Sequence, residues 1–181
     1  MSSSCGYSDN IKYEKYSSKD PQIDLTMDYI SGWLYSESRG SYESYAQVIF
    51  FEQDKKNKAY KAGIVVTVVD GSELKINPPT LEAVADDLLS RRQEFKDEKL
   101  VSKTKSKVLG EEGIGLLLSY KVFDVRHPLE RRELSLKEKV VIFKKNARFY
   151  TVRYTNTDEE FNKFQRAFDH IVQSLRLKSS G

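Results

Sequence analysis

The chain has 181 residues, which is enough for one domain whose core needs no disulfide or metal for stability. Lys and Arg number 30 against 27 Asp and Glu, a formal net charge of +3. This near balance excludes the dense basic surface of a dedicated nucleic-acid-binding protein. The sequence also has no apolar run of about 18 residues, the length that predicts a transmembrane helix.

The amino-terminal stretch predicts a flexible leader over residues 1–12, followed by one domain over 13–181. Cys5 is the single cysteine, so no internal disulfide can form. Cys5-Gly6 within a polar leader is similar to the start of a processed bacterial lipoprotein, which predicts lipidation of Cys5. The alternative is a cysteine without a role in a frayed terminus.

The first half of the domain is predicted to be rich in strands. Apolar and polar residues alternate from Ile23 to Tyr29, as in a half-buried strand, and Ser31-Gly32 ends it. A Ser/Gly/Glu-rich loop is predicted over 36–45, a strand over 47–52 and a polar turn over 54–58. The segment 63–69 is apolar on both faces, which predicts a central strand covered on both sides.

A helix is predicted after Pro78-Pro79, with Thr80 as its N-cap. Its apolar residues recur every three or four positions: Leu81, Val84, Ala85, Leu88 and Phe95.

Strands and turns are predicted to dominate the region after this helix. A strand over 99–109 leads into a turn over 110–113, and a meander of three strands follows over 115–125, 133–143 and 148–155. Lys145-Asn146 marks a hairpin between the last two. Glu138 interrupts an apolar strand face, so it must lie at an open edge or pair with a cation.

The last helix has the clearest sequence pattern. Thr157 and Glu160 are spaced as a capping box, with Thr157 as the predicted N-cap. The apolar stripe that follows is Phe161, Phe164, Phe168, Ile171, Val172 and Leu175. Because strands do not alternate with helices, the pattern argues against a doubly wound parallel sheet and predicts the α+β class, with an antiparallel sheet packed with helices.

Three regions resemble the PsbP family in order and spacing. They are the strand leading into Tyr29-Ile30-Ser31-Gly32-Trp33, the block of strands and helix over 48–82, and the closing strand and helix over 147–175. Ile30 stands where the family has proline. The resemblance covers roughly residues 13–178 and implies an α/β/α sandwich with a central antiparallel sheet of about six strands flanked by helices. The family contains an extrinsic lumenal subunit of photosystem II, bacterial lipoprotein relatives and a fold relative that binds the Ran GTPase.

The resemblance implies docking rather than catalysis. We expect a non-catalytic, extracytoplasmic accessory protein, in the periplasm or cell envelope, that binds a protein partner in a larger membrane or envelope complex. It is expected to be a monomer without a cofactor, without nucleic-acid binding, and with membrane contact only through a lipid anchor. Two alternatives stay open: a cytoplasmic GTPase-binding regulator of the same fold, and a metal-binding enzyme.

The candidate binding residues lie in two places. Arg126, Arg131 and Arg132, beside Lys144 and Lys145 of the next turn region, form a basic cluster that suits an acidic partner. Tyr35, Tyr42 and Tyr45 form an aromatic patch around the predicted loop, where such side chains favour recognition.

His127 is the candidate for chemistry, and it is also assigned to the binding surface. A metal there needs Asp124 or Glu130 as further ligands, but no second ligand of defined spacing is present, so no metal site is predicted. Ser119 or Cys5 with His127 and Asp124 can be named as a nucleophilic set. No nucleophile elbow surrounds either residue, so no catalytic residue is predicted.

Overall fold

The computed structural model describes residues 10–40, 45–53, 61–92, 95–123 and 133–178. Within these residues the chain forms ten strands and two α-helices. In chain order they are β1 (Tyr13–Ser17), β2 (Leu25–Ile30), β3 (Leu34–Arg39), β4 (Tyr45–Phe51), β5 (Gly63–Asp70), α1 (Leu81–Ser90), β6 (Lys96–Val108), β7 (Glu111–Phe123), β8 (Glu133–Lys145), β9 (Arg148–Thr157), α2 (Phe161–Ser174) and β10 (Arg176–Leu177).

The strands form two sheets in which every described pair is antiparallel. The large sheet has seven strands in the order β3-β4-β5-β9-β8-β7-β6, and the small sheet has three in the order β1-β2-β10. Helix α1 packs on one face of the large sheet, while α2 and the small sheet lie side by side on the other. The predicted α+β sandwich is confirmed, with seven strands rather than six in its main sheet.

The main core lies between the large sheet and the layer formed by α2 and the small sheet. All six residues of the predicted α2 stripe are buried: Phe161, Phe164, Phe168, Ile171, Val172 and Leu175. Tyr154 of β9 stacks on Phe161 and Phe168 at ring-centroid distances of 4.9 and 5.9 Å. The alternation in β2 is also confirmed, because Leu25, Met27 and Tyr29 all face this core.

Two strand predictions differ from the structure. Residues 34–39, whose polar part was predicted to belong to a loop, form β3, because pairing with β4 supplies the backbone bonds that composition alone does not suggest. In β5 only one face is buried, at Ile64, Val66 and Val68, and the other face is half-buried. The reason is that α1 packs over β7 and β8 instead of β5.

The helix boundaries were partly correct. The Thr80 hydroxyl accepts a bond from the Ala83 N–H at 3.1 Å, which confirms Thr80 as the N-cap of α1. Phe95 is not part of that helix: α1 ends at Ser90 and the Phe95 ring is 41% exposed.

The predicted N-cap of α2 was wrong. Thr157 still pairs with Leu136 of β8, so its backbone is committed to the sheet and the helix begins only at Phe161. Glu160 holds the N-cap position, and its side chain makes no capping bond to the helix. The Asn156 amide instead donates to the Glu160 carbonyl at 3.2 Å and bridges the strand to the helix start.

Glu138 does pair with a cation. It is 2% exposed, and its carboxylate accepts two bonds from the Arg92 guanidinium at 2.8 and 2.5 Å and one from the Tyr120 hydroxyl at 3.0 Å. Arg92 follows α1 and is itself 7% exposed.

The turns are shorter than predicted. The turn before β7 is only Leu109-Gly110, whose positive φ angles of 55° and 82° suit a tight hairpin, so Glu111 already belongs to the strand. The hairpin between β8 and β9 is confirmed, with Asn146 at φ 56°. The predicted turn at 54–58 lies outside the described residues.

Candidate docking surface

The two edges of the large sheet, β3 and β6, differ in how they protect their unpaired backbone. Strand β6 has register irregularities on both sides of Lys99, and it carries five lysines: Lys96, Lys99, Lys103, Lys105 and Lys107. Bulges and lysines are the devices that block edge-to-edge pairing. Strand β3 pairs with β4 without irregularity and has no lysine. The regular edge at β3 is therefore the one suited to receive another strand.

The free backbone groups of β3 belong to alternate residues. The Gly40 N–H donates to the Tyr45 carbonyl at 3.1 Å, so Gly40 and Tyr45 form a hydrogen-bonded pair just beyond the strand. Bonded and non-bonded pairs alternate along an antiparallel ladder. Because Gly40 bonds to β4, so do Ser38 and Ser36 at the same two-residue spacing. The backbone N–H and C=O groups of the residues between them, Arg39, Glu37 and Tyr35, point away from β4 to the open edge.

The side chains of Tyr35 and Glu37 belong to a group that we call the tyrosine cluster. Its members are Tyr16, Tyr29, Tyr35, Glu14 and Glu37. Tyr35 contacts Tyr16 and Tyr29 edge-on, at centroid distances of 5.2 and 5.8 Å. Tyr16 and Tyr29 are buried against the core, whereas Tyr35 is 46% exposed. The cluster thus presents one open aromatic ring on a rigid base.

Each buried phenol of the cluster is held by one carboxylate. The Tyr16 hydroxyl donates to Glu37 at 2.6 Å and the Tyr29 hydroxyl to Glu14 at 2.7 Å. The Ser31 hydroxyl also donates to Glu14, and bonds from Ser31 and then Tyr29 lower the pKa of the Glu14 carboxyl. The Glu14 bond and burial raise the pKa of Tyr29 to about 12. Glu14 therefore stays ionised at neutral pH.

The negative charge of the cluster is not balanced locally. Among the described residues, no Lys or Arg side chain makes an ion pair with Glu14 or Glu37. Arg39, the nearest arginine on β3, is engaged by both oxygens of Asp20 at 2.6 and 2.7 Å. The surface beside Tyr35 is therefore aromatic and acidic, although the chain as a whole carries a net charge of +3.

A cleft of about 280 Å³ lies at the end of the sheet where β5 finishes and β9 begins. It is lined by Gln22, Val68, Asp70, Ser72, Glu73 and Arg148. Arg148 donates to the Gln22 carbonyl at 3.3 Å, and bonds from the Ser72 backbone and hydroxyl lower the pKa of Asp70. This volume is close to the lower end of the usual range of small-ligand pockets, about 300–1,000 Å³.

The predicted tyrosine patch is divided by the sheet. Tyr35 lies opposite Phe50, and Tyr45 lies on the same strand as Phe50, five residues earlier. An odd spacing puts two side chains on opposite faces of a strand, so Tyr45 points away from the tyrosine cluster. Tyr45 is half-buried next to Gly40, and Tyr42 lies outside the described residues.

The predicted basic cluster cannot be placed. Arg126, His127, Arg131 and Arg132 lie outside the described residues. Glu133, which follows them, starts β8, whereas Lys144 and Lys145 are at its other end. A strand of this length spans about 40 Å, so Lys144 and Lys145 lie far from Glu133.

Most of the other chemical candidates fall on residues that the structure does not describe. Ser119 is a half-buried residue of β7 paired with Lys137, and Cys5, like Asp124 and Glu130, lies outside the described residues. The described part of the chain holds no group of three or more metal-ligating side chains. Neither described helix has the length and apolarity needed to cross a bilayer.

Several residues of the surface were not identified from the sequence. Strand β1, which supplies Glu14 and Tyr16, has only five residues and no clear alternation. The one available signal was the paired presence of Tyr and Glu in both short segments, 13–17 and 34–39, since a buried phenol needs a bonding partner.

Comparisons with known proteins show the fold and nothing finer. No family model and no curated protein matches the chain. Among solved structures, cyanobacterial PsbP from Synechocystis sp. is similar with a TM-score of 0.62 and 14% identity, covering 96% of this chain and 97% of that one. The Ran-binding protein Mog1p of Saccharomyces cerevisiae has a TM-score of 0.59 and 9% identity, covering 93% and 96%. LpqN of Mycobacterium tuberculosis, involved in cell envelope biogenesis, has a TM-score of 0.56 and 12% identity, covering 94% and 92%.

Proposed function

We propose that the protein is a non-catalytic accessory protein outside the cytoplasm that docks to a larger membrane or envelope complex. The observation that carries the proposal is the β3 edge, which is regular, has no pairing strand on its outer side among the described residues, and carries the exposed ring of Tyr35. Open edges and exposed aromatic residues are used for protein recognition. The likeness to PsbP and to LpqN, a protein involved in cell envelope biogenesis, supports this setting by analogy of fold.

Site-specific photo-crosslinking in the native cell tests docking. A photoreactive residue replaces Tyr35 at the β3 edge, and the matched control replaces Val101, which is 54% exposed on the opposite edge. We expect a membrane or envelope protein to be captured from position 35 and not from 101. Equal capture from both positions, or none from 35, would refute docking through this surface.

The location is tested at Cys5. We expect metabolic labelling with a fatty acid to mark the full-length protein and the Cys5→Ser variant to lose both the label and its membrane association. A wild-type protein that carries no label would remove the anchor from the proposal.

A second candidate is a cytoplasmic GTPase-binding regulator. The observation favouring it is the TM-score of 0.59 with the Ran-binding protein Mog1p. The same crosslinking experiment separates the two functions, because capture of a small GTPase in the cytoplasmic fraction supports the second and contradicts the first.

A further inference from the structure

We propose that the β3 edge binds an extended, basic segment of the partner protein as an added strand, with a Lys or Arg side chain of that segment beside Tyr35 and the carboxylates of Glu14 and Glu37. This deepens the proposed docking function and rests on it. It names the binding mode and the chemistry of the partner.

The backbone of β3 supports strand addition. The outward N–H and C=O groups belong to Tyr35, Glu37 and Arg39, which follow each other at the two-residue spacing of a ladder. An extended peptide satisfies such groups by main-chain bonds, and its alternate side chains then meet the surface on one face. Strand β6 offers no equivalent, because its register shifts at two places.

The charge of the tyrosine cluster selects a basic segment. A residue paired with Tyr35 across an antiparallel ladder has its Cα about 5.5 Å away, so a Lys or Arg at that position can reach over the ring. Glu37 lies two residues further along the same face of β3, and Glu14 is bonded to the hydroxyl of Tyr29, whose ring contacts Tyr35. The ring of Tyr35 and the carboxylates of Glu37 and Glu14 therefore all attract a cation.

A second copy of this chain fits the edge poorly. Pairing β3 with β3 of another molecule would bring two acidic clusters together, and Arg39, the only basic residue of the strand, is already engaged by Asp20. Like charges placed across a ladder are destabilising. Charge complementarity therefore favours a basic partner segment over self-association.

The test uses the full chain and an eight-residue peptide of alternating Lys and Thr with blocked ends. Binding is followed by the shifts of backbone amide signals in NMR spectra. We expect the largest shifts at Tyr35, Glu37 and Arg39. A peptide with Glu in place of Lys is expected not to bind. A Lys/Thr peptide whose ladder-forming amides are methylated keeps the charge but is expected to bind at least about fivefold more weakly, since it cannot add as a strand.

Variants of the protein separate the contribution of the Tyr35 ring from that of the Glu37 carboxylate. Tyr35→Leu and Glu37→Gln are each expected to weaken binding of the Lys/Thr peptide about two- to fivefold, the range of an exposed cation–π contact. Val101→Thr on the opposite edge is the matched control, and its affinity is expected to stay unchanged.

Several outcomes would overturn the inference. If the Glu peptide binds as tightly as the Lys/Thr peptide, the partner segment need not be basic. If the methylated peptide binds as tightly as the unmethylated one, the segment does not bind as an added strand. Shifts at β3 that grow with protein concentration in the absence of peptide identify a second copy as the occupant. Capture of a membrane protein from position 35 in cells, without binding of the Lys/Thr peptide, leaves docking intact and refutes only this inference.

Discussion

The buried ion pair between Arg92 and Glu138 gives the sharpest test of the packing around α1. Two hydrogen bonds of 2.8 and 2.5 Å join the guanidinium to the carboxylate, and the two residues are 7% and 2% exposed. Glu138→Leu would leave the arginine charge buried without its partner, and Arg92→Leu would do the same to the carboxylate. Both single variants are therefore expected to be strongly destabilised.

The magnitude follows from the geometry. Charge centres about 4 Å apart attract by about 4 kcal/mol at an effective dielectric constant of about 20. Removing one partner of a buried pair costs about 3–5 kcal/mol, because the remaining charge has lost both water and its counter-ion. The double variant Arg92→Leu/Glu138→Leu removes both charges of the pair, although the partly buried Glu98 carboxylate beside them stays, so its stability is expected to lie well above that of either single variant.

Urea unfolding followed by circular dichroism measures the four proteins. We expect the midpoint to fall sharply in both single variants and to recover in the double variant, with the slope m unchanged. Tyr120→Phe, which removes one hydrogen bond from a neutral phenol to the Glu138 carboxylate, is the milder comparison and should cost about 1.5–3 kcal/mol. Losses below about 1 kcal/mol in both single variants, or additive losses in the double variant, would show that the pair is not desolvated.

Three further predictions concern the core, the caps and the tyrosine cluster. Phe164→Ala should lower the free energy of unfolding by about 3–5 kcal/mol in urea titrations, since the ring is 6% exposed; a loss below about 1 kcal/mol would contradict its burial. Thr80→Ala should cost about 1 kcal/mol and Thr157→Ala less than about 0.5, because only Thr80 caps a helix; the reverse order would refute the assigned helix start. Glu14→Gln should lower the pKa of Tyr29 from about 12 towards its ordinary value near 10 in ultraviolet titrations. Because the pKa of Tyr29 is raised in the folded state, this stabilisation is complete below about pH 10 and is lost as pH rises towards about 12; an unchanged pKa in the variant would contradict the bond.

Local sequence patterns were enough to identify most elements. Alternation in 23–29 and the three-and-four spacing from Phe161 to Leu175 depend only on the geometry of one strand or one helix, so they predicted which side chains are buried. The same holds for Glu138: a carboxylate on an apolar strand face requires an edge or a cation wherever the strand lies in the sheet.

Predictions failed where a distant segment decides the outcome. Thr157 and Glu160 match a capping box, but pairing with β8 keeps Thr157 in the sheet. The polar residues of β3 become a strand because β4 supplies the ladder. Tyr35 and Tyr45 are close in sequence, yet the pairing register of β3, β4 and β5 puts them on opposite faces.

The amino-acid sequence by itself determined the fold class, the buried faces and the need of Glu138 for a partner, because each of these depends on repeats of two or of three to four residues within one segment. Only the tertiary structure decided that Arg92 is that partner, that β3 and β6 are the edges of the large sheet, and that Tyr35 contacts the two tyrosines whose hydroxyls bond to Glu14 and Glu37. These arrangements depend on hydrogen-bond register between strands far apart in the chain, which local spacing does not encode.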